Sequence, residues 1–177
     1  MSKPLFATVW LDGCSGCHMS FLDMDERLIA LADKVDVVYS PLVDNKVFPE
    51  MVDITLVEGA VSSDEDREKI RHVREHTKIL VSLGDCAVTA NVPSMRNPFG
   101  VDNVLNHAYI ETATIQQQIP NRVIPTLLPQ SRPIHEVVKV DVFVPGCPPS
   151  ADTIYFLLNE LLEGRNPNLS PLTRFGK

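Results

Sequence analysis

The sequence predicts a three-layer α/β fold with a mostly parallel sheet. Two observations carry this. Five short runs rich in Val, Ile and Leu alternate with amphipathic or charged stretches of helical length. These apolar runs are nearly continuous rather than alternating, which suits strands covered on both faces. A strand-helix alternation of this kind builds crossover units.

The proposed strands are Leu5–Leu11, Val35–Tyr39, Ile54–Val57, Ile79–Leu83 and Val137–Val144. Three helices are expected between and after them. Met19–Ala32 carries Phe21, Leu22, Leu28, Ile29 and Leu31. Ser63–Thr77 opens with Asp64, Glu65 and Asp66, acids placed at the positive end of a helix. Ala151–Leu162 repeats Ile154, Leu157, Leu158, Leu161 and Leu162, and Gly164 follows as its C-terminal stop. Residues 91–133 hold six prolines and read as a loop-rich insertion with one helix over about 102–118. An irregular tail from about Arg165 is expected to wrap a neighbour. The whole chain reads as a single domain over 1–177.

Composition excludes several classes. At 177 residues, with 44% hydrophobic and 22% charged residues, the chain has a globular make-up rather than a disordered or collagenous one. A chain of this length buries roughly 70% of its unfolded surface. A formal net charge of −7 without a basic stripe argues against nucleic acid as a partner. No apolar run reaches the ~18 residues of a membrane span. The start of the chain does not read as a signal peptide, so the expected location is the cytoplasm. There the four cysteines, Cys14, Cys17, Cys86 and Cys147, stay reduced.

The cysteines have a common placement. Cys14 and Cys17 follow the first proposed strand, Cys86 the fourth and Cys147 the fifth. In an open parallel sheet these carboxyl ends form one crevice, the usual ligand position. Gly13, Gly16, Gly59, Gly84 and Gly146 also follow strands and permit close backbone approach there. Four thiolates suit a 4Fe–4S cluster or a zinc ion. One C-x-x-C joined by two distant cysteines is unlike paired zinc knuckles and favours the cluster. Zinc and unligated thiols remain alternatives at this point.

Four segments resemble the small subunit of nickel–iron hydrogenases, in particular the soluble NAD-reducing (bidirectional) type. They are Trp10 through Asp23 (WLDGCSGCHMSFLD), Glu58-Gly59-Ala60-Val61, Gly84-Asp85-Cys86-Ala87 and Pro145-Gly146-Cys147-Pro148-Pro149. The cluster-bearing subunit of respiratory complex I, a relative, typically has adjacent cysteines where this chain has C-x-x-C. The resemblance implies a flavodoxin-like domain with one proximal 4Fe–4S cluster on Cys14, Cys17, Cys86 and Cys147. It also implies a large subunit holding the nickel–iron centre, and diaphorase subunits with iron–sulfur clusters, FMN and an NAD site. No catalytic residue is then expected in this chain, only electron transfer.

Periplasmic relatives carry a second domain with two more clusters, which this sequence does not contain. Many relatives have Glu where Met19 stands, so a proton path from that position is not assumed. Some soluble members are proposed to bind flavin near this domain, and no residue pattern here decides for or against FMN. The dinucleotide fingerprint and the Walker pattern are absent, which places NAD elsewhere. Rival readings are a subunit of another hydrogenase or quinone module, and a zinc-stapled scaffold without redox function.

Around the cysteines, His18, Glu58 and Pro148 join the five glycines as candidates for shaping the site. His72-Val73-Arg74-Glu75-His76 matches an inverted zinc-protease motif, but its dense charge favours a solvated helix face. His135 and Glu136 are expected at the edge opposite the cysteines. Trp10 reads most simply as core, with interface packing as the alternative.

Overall fold

A computed structural model of the chain describes residues 2–173. Five strands, β1 (Leu5–Trp10), β2 (Asp36–Tyr39), β3 (Val52–Glu58), β5 (Thr77–Leu83) and β7 (Val142–Val144), form one sheet in the order β2-β1-β3-β5-β7. Every pairing in it is parallel. With strands of the sheet counted along the chain, this is the doubly wound order 2-1-3-4-5 of flavodoxin-like folds. A second, antiparallel pair joins β4 (Val61–Ser63) to β6 (Leu127–Arg132).

The two-residue period of the strands divides the core. Phe6, Leu56, Val81 and Leu83 point to one face, where they meet α1 (Gly16–Leu22), α2 (Arg27–Ala32) and α6 (Ala151–Leu162) through Phe21, Leu31, Ile154, Leu157 and Leu158. Val9, Val57 and Leu80 point to the other face, against Ile70 and Val73 of α3 (Asp64–Glu75) and Ala87 of α4 (Asp85–Thr89). Both faces are therefore covered, as the apolar runs predict.

Helix α3 begins one residue after the expected Ser63, because Ser63 is its cap. The Ser63 hydroxyl accepts from Asp66 N at 3.1 Å, and the Asp66 carboxylate accepts from Ser63 N at 3.0 Å, a reciprocal capping box. Helix α6 spans the expected residues, with Ser150 accepting from Thr153 N at 3.2 Å and Gly164 at φ +70° beyond its end.

Several expectations are corrected. Met19–Ala32 is two helices rather than one. The chain turns at Asp23–Glu26, with Asp25 at φ +50° and Met24 buried in the core. Aspartates at 23 and 25 supply the turn chemistry, and α1 reaches back to Gly16. The expected strand 137–144 shrinks to Val142–Val144, because Val137, Val138 and Val140 pack onto the α3–α4 face instead of pairing. Within the supposed loop 91–133 lies β6, whose Pro129 fits an edge strand that leaves one side unpaired. The helix expected over 102–118 is α5 (Val101–Asn106), continued by one wide π turn to Glu111. There the Thr112 hydroxyl bonds back to the His107 carbonyl at 2.9 Å.

His135 and Glu136 sit in a short 3-10 turn whose Ile134 packs with Ala87 of α4. The His135 ring stands edge-on to Phe143 of β7 (5.6 Å). They flank the sheet instead of lying at its far end, because β6 has carried the chain up beside β4. Of the tail, Leu169 packs into this chain's own core, and residues 174–177 lie outside the described residues. Among the described residues no helix is long and apolar enough to cross a membrane.

At the amino edge of the sheet Asp53 ties three strands. Its carboxylate accepts from Leu5 N and from Lys78 Nζ, both at 2.7 Å. The Lys78 bond, with the Leu5 N–H, holds the carboxyl below its usual range. A carboxyl depressed in the folded state adds stability above its unfolded pKa of about 3.9, and that stability disappears as pH falls through the folded value. Asp53→Asn is therefore expected to lower stability at neutral pH and to flatten the acid limb below about pH 4, as read by urea unfolding across pH. Leu157→Ala, in a fully buried site of α6, is expected to cost about 2–5 kcal/mol in the same assay.

Candidate metal centre

The strands deliver three loops to one edge. β1 and β3 are neighbours whose crossovers leave in opposite directions, so the crevice between their carboxyl ends is the switch point of the sheet. Pairing continues past the strands: Leu11 N donates to Glu58 O (2.9 Å), and Asp12 and Ala60 exchange backbone bonds of 3.1 and 2.7 Å. Gly59, at φ +93°, makes this approach feasible, because a Cβ there would lie 2.7 Å from the Leu11 carbonyl carbon. Gly13 packs against Gly59 from the opposite loop.

Helix α1 starts in this crevice and lacks an acid in its own first turn. Glu58 supplies one from β3. Its carboxylate is 2% exposed and accepts from Cys17 N (3.4 Å), His18 N (2.9 Å) and His18 Nδ1 (2.5 Å). The unpaired N–H groups of the helix start thus find an anionic acceptor, and Cys17 and His18 are fixed together. The other ring nitrogen of buried His18, Nε2, has no hydrogen-bond partner among the described residues.

β5 and β7 are clasped in a second way. Gly84 N donates to Val144 O and Asp85 N to Gly146 O, each at 2.8 Å. The Asp85 carboxylate accepts from Gly146 N at 2.7 Å. The Gly146 loop is also tied to α1, because Ser20 Oγ donates to Pro149 O at 2.6 Å. The Cys147–Pro148 peptide is cis. Asp85 and Ser20 escape sequence reasoning: each looks like an ordinary helix residue, and only the fold shows which loop it holds. The Asp85 position next to Cys86 in Gly-Asp-Cys was the available signal.

Between these clasps the four thiols are mutual neighbours. Cys17 is buried, Cys86 partly buried, and Cys14 and Cys147 exposed. Burial pushes the Cys17 thiol well above its ordinary value, and Glu58 and the other three cysteines push it further. Burial also raises Cys86, against an opposing N–H from Val92. Such thiols stay protonated on their own and ionise when a cation takes the proton's place. The backbone presses close: a Cβ on Gly84 would lie 2.2 Å from Cys17 Sγ, and one on Gly16 would lie 3.2 Å from Cys14 Sγ.

Of the expected site residues, Gly13, Gly16, Gly59, Gly84, Gly146, His18 and Glu58 all line this edge. Pro148 is exposed on the Cys147 loop and enters through its peptide bond. Trp10 is not core; it is 41% exposed at the mouth of the crevice, with its ring 6.5 Å from that of His18. His72 of α3 and its C-cap residue His76 lie with their rings 4.3 Å apart and tilted by 42°, and His76 Nδ1 bonds the His72 carbonyl at 2.7 Å. Among the described residues no three His, Cys, Asp or Glu side chains converge tightly enough to hold a single metal ion. The His72–His76 motif lies at the end of the charged helix α3 and on its C-cap residue.

Gly84 and Gly100 share a positive φ, +84° and +77°, but nothing lies near a Cβ on Gly100. Gly100→Ala is expected to cost only backbone strain, on the order of 1 kcal/mol. Gly84→Ala must also displace Cys17, so a clearly larger loss in urea unfolding and faster alkylation of Cys17 are expected. Equal losses at both positions would show that Cys17 is not pressed against Gly84.

Residues 14–161 match the family described as NADH ubiquinone oxidoreductase, 20 Kd subunit. The chain is 47% identical over 168 residues to the NAD-reducing hydrogenase HoxS subunit delta of Cupriavidus necator, covering 92% of this chain and 80% of that one. It is 36% identical to a subunit of the F420-non-reducing hydrogenase of Methanothermobacter marburgensis, of which it spans 56% while 94% of this chain is matched. Among solved structures, an NAD+-reducing [NiFe]-hydrogenase in the H2-reduced state contains a chain that superimposes with a TM-score of 0.93 at 41% identity, covering 98% of this chain and 99% of that one. The [NiFeSe] hydrogenase of Desulfovibrio vulgaris Hildenborough, at 16% identity and a TM-score of 0.55, shares the fold. With its parallel sheet, its four cysteine motifs and these likenesses, the chain belongs to the 20 kDa oxidoreductase subunit family and, within it, to the small subunits of NAD-reducing nickel–iron hydrogenases.

Proposed function

We propose that this chain holds one 4Fe–4S cluster on Cys14, Cys17, Cys86 and Cys147. In this reading it conducts electrons between the nickel–iron centre of a large subunit and a diaphorase module that reduces NAD, in the cytoplasm. The observation that carries the reading is the gathering of four thiols from three loops at the switch point, with Gly84 lying against the Cys17 sulfur. Four soft donors drawn from three loops, only two of them spaced as C-x-x-C, suit an iron–sulfur group.

When bound, the cluster supplies reversible one-electron chemistry. The chain's own residues do the rest. Glu58 and the Asp85–Gly146 clasp fix the ligand loops before anything binds. Burial of Cys17 limits water on the inner side. The exposed Cys14 and Cys147 form the outer side, flanked by Trp10 and Met19, apolar side chains that fit a covering partner. The likeness to the NAD-reducing hydrogenase chains supports the large subunit and NAD as the final acceptor.

The test is metal analysis with low-temperature EPR on anaerobically purified protein. About four irons per chain and a paramagnetic signal after dithionite reduction are expected. About one zinc and no signal would replace the reading with a zinc-stapled scaffold. Cys17→Ala and Cys147→Ala are each expected to lose the cluster and to abolish hydrogen-dependent NAD reduction in the assembled enzyme. Full iron and full activity in either variant would remove that cysteine from the ligand set.

A further inference from the structure

Helix α4 ends on a strained turn. Ala90 closes it in the left-handed region (φ +62°), with its N–H on the Cys86 carbonyl at 3.0 Å, and it is fully buried. A non-glycine residue held there costs on the order of 1 kcal/mol or more and persists where surrounding structure requires it. The consequence is that the next residue, Asn91, reaches back to the thiols. Asn91 Nδ2 donates to Cys147 Sγ at 3.7 Å. The Asn91 Nδ2 has no other acceptor among the described residues. A thiolate only accepts, so an amide beside one presents its N–H side.

The turn that follows Cys86 after β5 thus sends a side-chain N–H donor to Cys147 in the loop after β7. Donors aimed at cluster sulfurs favour the more negative, reduced state and raise the potential. Asn91 lies outside every cysteine motif of the sequence.

Resting on the cluster reading above, we propose that Asn91 raises the cluster's reduction potential: its amide N–H on the Cys147 sulfur stabilises the reduced cluster.

The experiment compares the full unsubstituted chain with Asn91→Leu and Asn91→Asp, each purified anaerobically. Leu keeps the approximate shape and removes the donor; Asp keeps the shape and replaces the donor with a charge. Iron per chain and the EPR-monitored midpoint potential are read for all three. The expected result is about four irons in each and a more negative midpoint in both variants. At the unsubstituted midpoint, the ratio of reduced to oxidised cluster is expected to fall about threefold in Asn91→Leu, the size of one hydrogen bond, and further in Asn91→Asp. An unchanged midpoint with iron intact overturns the proposal. Loss of iron from both variants, with the unsubstituted chain fully loaded, also overturns it, because Asn91 is then a structural support. An unsubstituted chain without iron instead overturns the cluster reading itself.

Discussion

Every strand of the main sheet runs in the same direction, and the rest of this molecule depends on that. A parallel sheet sends each strand's carboxyl end to one edge, so residues separated by most of the chain meet there without long connecting loops. Cys14 and Cys17 follow β1, Cys86 follows β5 and Cys147 follows β7. The cost of a parallel sheet is that both faces need covering. Here α1, α2 and α6 cover one side, and α3 and α4 the other, with Leu and Val side chains alternating between them along each strand.

Direction alone brings loops near one another; fixing them takes hydrogen bonds. Two buried carboxylates do most of this. Glu58 accepts from the first N–H groups of α1, and Asp85 accepts from Gly146 N. In both cases a side chain on one loop satisfies backbone donors on another, which serves the general need to pair buried N–H groups. Ser20 adds a third tie, to the Pro149 carbonyl. The three loops are therefore cross-braced, a preorganised setting for a site that must hold its ligands in place.

The exposed part of this edge has a different character. Trp10 and Met19 offer apolar surface beside the thiols, and Cys14 and Cys147 themselves face outward. A protein that worked alone would leave little such surface uncovered around a reactive group. The likeness to chains of multi-subunit hydrogenases agrees with a covered edge.

The sequence by itself determined the α/β class, the strands β1, β2, β3 and β5, helix α6, and the convergence of the cysteines, because these follow from local apolar periods and from the rule that parallel strands end together. It also singled out Glu58 and His18, through their places beside glycine and cysteine. Tertiary structure decided the rest. Met24 had to reach the core, and the long first helix broke there. Val137, Val138 and Val140 found better burial on a helix face than in a strand. Trp10, apolar in an apolar run, ended exposed because it falls where β1 leaves the covered sheet. Asp85, Ser20 and Asn91 are polar residues in ordinary local settings. Their roles come from partners up to most of the chain length away, and no local pattern records a hydrogen bond across that distance.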